Sequence, residues 1–218
     1  MFHVSPVPTL EAPRDCPLCP RLVAFRHALR AEHPDWWNSP VPHFGDPDAW
    51  LAICGLAPGK HGANRTGRPF TGDHAGVLLF ATLAKFGFAT GTYDERADDG
   101  LRLTGVAIVN SVKCVPPQNK PTPQEIATCT AAFFRPALAA LPKAKVLVAL
   151  GKIAHDAAIR SVGGRLAAFP FGHLAEHALP DGRTLIDSYH CSRYNQNTGR
   201  LTAQMFEDVF ARAVALRP

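Results

Sequence analysis

The chain predicts a three-layer α/β/α fold around a central, mostly parallel sheet of four strands. Two observations lead there. Four short runs, Trp50 to Gly55, Val106 to Val112, Lys145 to Leu150 and Thr184 to Tyr189, are near-continuous in apolar residues rather than alternating, as strands covered on both faces are. Helix-like segments lie between them, and helix and strand in alternation imply a parallel sheet with helices on both faces.

The helices follow from spacing and caps. A first helix is expected over roughly Arg21 to Glu32. Ala75 to Phe86 carries Val77, Leu78, Leu79, Leu83 and Phe86, with Asp73 available as N-cap. Thr122-Pro123-Gln124-Glu125 is a helix start, with a capping Thr, Pro at the first position and Glu close behind. That helix is expected to run to about Leu141. Lys152 to Ser161 and Ala203 to Leu216 are two more, the latter capped by Thr202. The stretch Gly87 to Gly105 is polar and reads as a surface excursion with little core.

Composition narrows the class of protein. At 218 residues, one domain spanning 1–218 can bury a full core. A chain 46% hydrophobic and 19% charged is not disordered. Its 23 Lys+Arg against 18 Asp+Glu give a net charge of +5 and a pI near 9.0, which favours a polyanionic partner. The start, Met1-Phe2-His3-Val4-Ser5-Pro6, lacks the basic and apolar regions of a secretory leader. No stretch is apolar enough to span a bilayer. A cytoplasmic, monomeric protein with no membrane partner is expected, its six cysteines reduced.

Four of those cysteines suggest a metal centre. Cys16-Pro17-Leu18-Cys19 is a CxxC pair before the first helix, Cys114 follows the second strand, and Cys129 lies in the helix begun at Pro123. Four thiolates can close around structural zinc or an iron–sulfur cluster, and their spacing alone does not choose between the two. Cys54, inside a strand, reads as a small core residue.

Two segments after strands read as the lips of one cleft. Gly55-Leu56-Ala57-Pro58-Gly59 is a turn with glycines at both ends, and it continues into Asn64-Arg65-Thr66-Gly67-Arg68-Pro69-Phe70-Thr71-Gly72-Asp73. The second segment is His190-Cys191-Ser192-Arg193-Tyr194-Asn195-Gln196-Asn197-Thr198-Gly199-Arg200. In open α/β sheets, ligands bind where loops leave the carboxyl ends of strands. Cations interleaved with an aromatic suit a phosphate backbone and a stacked base.

With these motifs the chain resembles the uracil-DNA glycosylase superfamily, and within it family 5, the type-b uracil-DNA glycosylases. The resemblance rests on residues 55–73, on Asn-Ser-Val-Lys-Cys followed by Pro-Pro-Gln-Asn-Lys-Pro at 110–121, and on the segment 190–202. It implies a structural 4Fe–4S cluster on Cys16, Cys19, Cys114 and Cys129. It also implies a monofunctional DNA glycosylase that hydrolyses the N-glycosidic bond of flipped-out uracil in DNA, with hypoxanthine and xanthine as further substrates. Base excision repair would begin with that step.

Roles follow residue by residue. His190 would donate a hydrogen bond to the base carbonyl where negative charge develops. Phe70 would stack on the base, Asn110 would read its pairing edge, and Asn119 is a second candidate for base contact. Related families place a carboxylate or amide where this chain has Ala57 in the base pocket. Water would then fall to Asp73, to Asn64, or to no general base. Tyr194 would wedge into the vacated stack. Arg193, Asn195, Thr198 and Arg200 would hold phosphates on one side, Arg65 and Arg68 on the other. Lys60, the only nearby lysine, is expected at a phosphate rather than as a Schiff-base nucleophile. Cys191 stands where many relatives carry proline, so the wedge loop loses some rigidity. The competing reading is a metal-stapled binder of damaged DNA that has lost its chemistry at Ala57.

Overall fold

Five-residue strands, buried along almost their whole length, form the centre of the molecule. The computed structural model describes residues 11–218, so the reading of Met1 to Pro6 lies outside the described residues. In chain order the elements are α1 (Pro20–Glu32), β1 (Phe44–Gly45), β2 (Leu51–Gly55), α2 (Ala63–Thr66), α3 (His74–Lys85), β3 (Ala89–Thr90), β4 (Arg102–Leu103) and β5 (Val106–Asn110). There follow α4 (Pro123–Cys129), α5 (Arg135–Ala139), β6 (Val146–Leu150), α6 (Lys152–Ser161), β7 (Glu176–Ala178), β8 (Thr184–Ser188), α7 (Arg193–Asn197) and α8 (Ala203–Ala215).

The sheet order is β1-β5-β2-β6-β8-β7. The four expected strands pair in parallel at its centre. Two short antiparallel strands, β1 and β7, extend the edges and make six. Two- and three-residue strands carry too little periodicity to be seen in a sequence.

Alternate residues of each central strand feed two cores. Leu51, Ile53, Val148 and Ile186 pack with Leu79 and Leu83 of α3 and Phe206 and Phe210 of α8. Ala52, Cys54, Ala149 and Leu185 pack on the other face with Phe134, Leu138, Ala154 and Ile159. Apolar side chains on both faces explain why the strands read as continuous runs. Among the described residues no helix is long and apolar enough to cross a membrane.

Two expectations need correction. The stretch Gly87 to Gly105 contributes core after all. Phe88, Leu101 and Leu103 are buried, β3 pairs with β4, and Tyr93 packs on Phe80. Its apolar residues are too widely spaced for periodicity to reveal them. The helix from Pro123 is also not uniform, because α4 opens into a widened turn over Thr130–Phe134 before α5. Pro136 lies just beyond, and it can neither donate to the carbonyl four residues back nor fit against it. The capping box at Thr122 forms as expected, with Glu125 Oε2 accepting from the Thr122 N–H at 2.7 Å.

Candidate active site

A cleft of about 490 Å³ opens where the two lips face each other, above the carboxyl ends of β2, β5 and β8. Ala57, Phe70, Asp73, Asn110, Asn119 and His190 all line it. Its floor depends on Gly55. That residue ends β2 in register with Asn110 of β5. A Cβ there would lie 2.1 Å from Asn110 Oδ1 and 3.1 Å from the Phe70 ring. Only hydrogen at this position lets both side chains converge.

Asn110 is 3% exposed, and its Oδ1 has no hydrogen-bond partner among the described residues. A buried acceptor left unpaired costs about 1–3 kcal/mol, so the cleft is built with a polar group awaiting a donor. Phe70 adopts φ of +55°, unusual for an aromatic residue. The strained turn is held by the Tyr93 hydroxyl, which donates to Phe70 O at 3.2 Å, and by Gly76, where a Cβ would fall 1.7 Å from that same oxygen. The Phe70 ring lies 6.1 Å from the His190 ring, 29° from parallel.

His190 follows the end of β8 and packs beside Gly151, whose Cβ would lie 3.3 Å from that of His190. Burial pushes its pKa down to about 4, so the imidazole is neutral at neutral pH and keeps one N–H to donate. Asp73 has two faces. Oδ1 accepts from Gly76 N at 3.1 Å and caps α3, as expected. Oδ2 lies against the glycines of the first lip, 2.5 Å from where a Gly62 Cβ would be and 3.5 Å from one on Gly59. Burial raises its pKa, opposed in part by the Gly76 and Ala75 N–H groups.

Several predicted residues sit elsewhere. Asn64 is 1% exposed, and its amide donates to Asn38 Oδ1 at 2.9 Å. It joins α2 to the segment after α1 and does not line the cleft. Arg68 is 5% exposed and turned inward. It makes a bidentate pair with Asp99 at 2.8 and 2.7 Å and lies over the Phe44, Phe80 and Tyr93 rings. A buried, fully paired guanidinium cannot reach phosphate. Asn195 Nδ2 donates to His190 O at 2.8 Å, so this amide shapes the second lip from within.

The remaining predicted residues surround the opening. Arg65, Arg193 and Arg200 are exposed, and Arg200 lies 4.6 Å above the Tyr189 ring. Tyr194 stands out at 71% exposure on α7, which Ser192 caps. Thr198 is exposed and bonds Tyr194 O at 2.8 Å. Lys60 lines the cleft and pairs with Glu32 at 3.2 Å. His61 and His74 also line it. Sequence reasoning passed over both, since a histidine in a polar loop carries no signal without its neighbours.

Behind the first lip, the four cysteines gather at one small cavity with Arg26 and Lys113. None of them is in a disulfide. Leu22, Val112 and Cys129 form a small apolar cluster there, against which Cys19, Cys114 and Ala57 pack. The two sites thus share a wall. Val112 N and Ser111 Oγ both donate to Leu56 O, at 2.8 and 3.0 Å, tying the lip to the chain that leads to Cys114.

The four thiols suit zinc or an iron–sulfur centre by their chemistry. Among the described residues, the ligand atoms of His155, His177 and Asp187 all lie within 4.8 Å of one another. The His155–Asp187–His177 group is a buried hydrogen-bond network, with contacts of 2.7 and 3.2 Å.

Fold and cleft together define an α/β protein with an open cleft at the carboxyl end of a parallel sheet. The family profile described as the uracil DNA glycosylase superfamily matches residues 42–213. A type-5 uracil-DNA glycosylase of Thermus thermophilus is 48% identical over 217 residues, covering 96% of each chain. One from Pyrobaculum aerophilum is 40% identical over 205 residues, covering 92% of this chain and 88% of its own. A type-4 enzyme of Thermotoga maritima is 37% identical over 111 residues, about half of each chain (50% and 49%). The chain belongs to the uracil DNA glycosylase superfamily.

Proposed function

We propose that the protein is a monofunctional DNA glycosylase that hydrolyses the N-glycosidic bond of uracil flipped out of DNA, and that it also accepts hypoxanthine and xanthine. The observation that carries this reading is the convergence of Asn110 and Phe70, allowed by Gly55, with His190 on one cleft. Phe70 stacks on the extruded base, and the unpaired Asn110 amide meets its pairing edge. Ala57 presents only a methyl group to the cleft, which leaves room for purines.

Breaking the C–N bond leaves negative charge on the base and an oxocarbenium-like sugar. His190, neutral because burial holds its pKa near 4, donates a hydrogen bond to the base oxygen where that charge accumulates. Asp73 Oδ2 orients the attacking water and takes its proton, while Oδ1 stays on the helix cap. Arg65, Arg193 and Arg200 hold flanking phosphates, and Tyr194 enters the space the base has left.

The four cysteines hold a 4Fe–4S cluster whose role is structural. It braces the first lip through Ala57 and Leu56. Release of free base from duplexes carrying uracil, hypoxanthine or xanthine tests the reading. Turnover on uracil that loses most of its rate in His190→Ala supports it; binding without base release by the wild type overturns it.

A further inference from the structure

Two buried cations stand at the cysteine cavity, Arg26 with no carboxylate salt bridge among the described residues and Lys113 with Glu11 as its carboxylate partner. Arg26 of α1 is 2% exposed, and Lys113, just before Cys114, is 1% exposed. Both line the cavity with the four cysteines. Arg26 Nη1 lies 3.6 Å from Cys114 Sγ and its Nη2 donates to Cys16 O at 3.2 Å, while Nε has no partner among the described residues. Lys113 donates its backbone N–H to Cys129 Sγ at 3.3 Å. Its Nζ has no hydrogen bond, and the nearest carboxylate, Glu11 at 3.6 Å, is half-buried and also engaged by His43.

An unpaired charge in a protein interior costs several kcal/mol, on the order of 3–5 when a buried pair is broken. Negative charge in the cavity that both residues line would offset this cost. Four thiolates around a 4Fe–4S core of charge 2+ carry a net charge of two minus, which two cations balance.

We propose that Arg26 and Lys113 are the built-in counter-ions of the cysteine-held metal centre, and that they set its reduction potential and retain it in the protein. The inference rests on the cluster reading above. Arg26 bridges the CxxC segment and Cys114, and Lys113 lines the same cavity while its backbone N–H bonds Cys129 Sγ, so both residues stand beside the sulfurs. Their field favours each added electron, and removing either one makes reduction harder.

The test uses full-length holoprotein with Arg26→Met, Arg26→Lys and Lys113→Met. Iron and sulfide content of the wild type is measured first, then the one-electron potential and the rate of iron loss to a chelator. Both Met variants are expected to shift the potential negative by a tenfold or greater change in the reduction equilibrium, about 59 mV for one electron. Iron loss should quicken at least tenfold, and Arg26→Lys should restore most of both. A merely structural role for Arg26, through its bond to Cys16 O, would not move the potential in a fixed direction. Should Arg26→Met fail to fold, Lys113→Met carries the same reading. Wild type holding iron and sulfide with unchanged potentials in the variants overturns the counter-ion role alone. Wild type without a metal–thiolate centre overturns the cluster reading, and the counter-ions with it.

Discussion

Gly55 and Asn110 face each other across two parallel strands so closely that a Cβ on Gly55 would lie 2.1 Å from Asn110 Oδ1. The same Cβ would press on the Phe70 ring at 3.1 Å. Gly55→Ala is therefore expected to move both cleft-lining side chains while leaving the sheet intact. Overpacking costs about 1–3 kcal/mol, and displacement of about 1 Å at the chemistry lowers kcat roughly a hundredfold. Steady-state kinetics and a thermal melt on the same sample separate the two effects.

His190 is expected to act as a neutral donor, and His190→Ala to lower kcat by roughly 10²–10³. The pH dependence has a definite sign. With a folded pKa of about 4 against an ordinary 6.5, the unfolded chain binds more protons between those values. This residue therefore makes the protein less stable as pH falls from about 6.5 to about 4. Denaturant midpoints across that range should fall more steeply in wild type than in His190→Gln.

Asp73 has one carboxylate oxygen on the helix cap and the other beside the first lip. Asparagine caps as well as aspartate does, whereas alanine gives up about 1 kcal/mol. Asp73→Asn should keep the melting temperature and lose about a hundredfold in kcat, the low end for a general base. Asp73→Ala should lose both. Equal activity in Asp73→Asn and wild type would leave Asp73 as a cap alone.

The arginines of the two lips should separate cleanly. Arg68→Ala breaks a buried pair with Asp99 and should cost about 3–5 kcal/mol, without changing the salt dependence of DNA binding. Arg193→Ala should leave stability nearly untouched and reduce the slope of log affinity against log salt by about 1. Binding titrations at several salt concentrations, beside thermal melts, give both readings.

Much of the site was legible because local chemistry fixed it. The caps at Asp73, Thr122 and Thr202 all form where the residue types place them. The central strands appear as apolar runs, and both lips follow strand ends. The failures share a cause. Arg68 and Arg65 look alike in a loop, and only Asp99, 31 residues away, turns one of them inward. Asn64 likewise meets its partner Asn38 across 26 residues.

The sequence by itself determined the layers, the parallel centre of the sheet and the positions of both lips, since these follow from periodicity, caps and strand ends. The tertiary structure alone decided which polar side chains face the cleft. It also decided that Gly55 must lack a side chain, and that Arg26 and Lys113 share a cavity with four cysteines. Those outcomes depend on through-space distances between residues far apart in the chain, where burial and unpaired charge act and no local pattern records them.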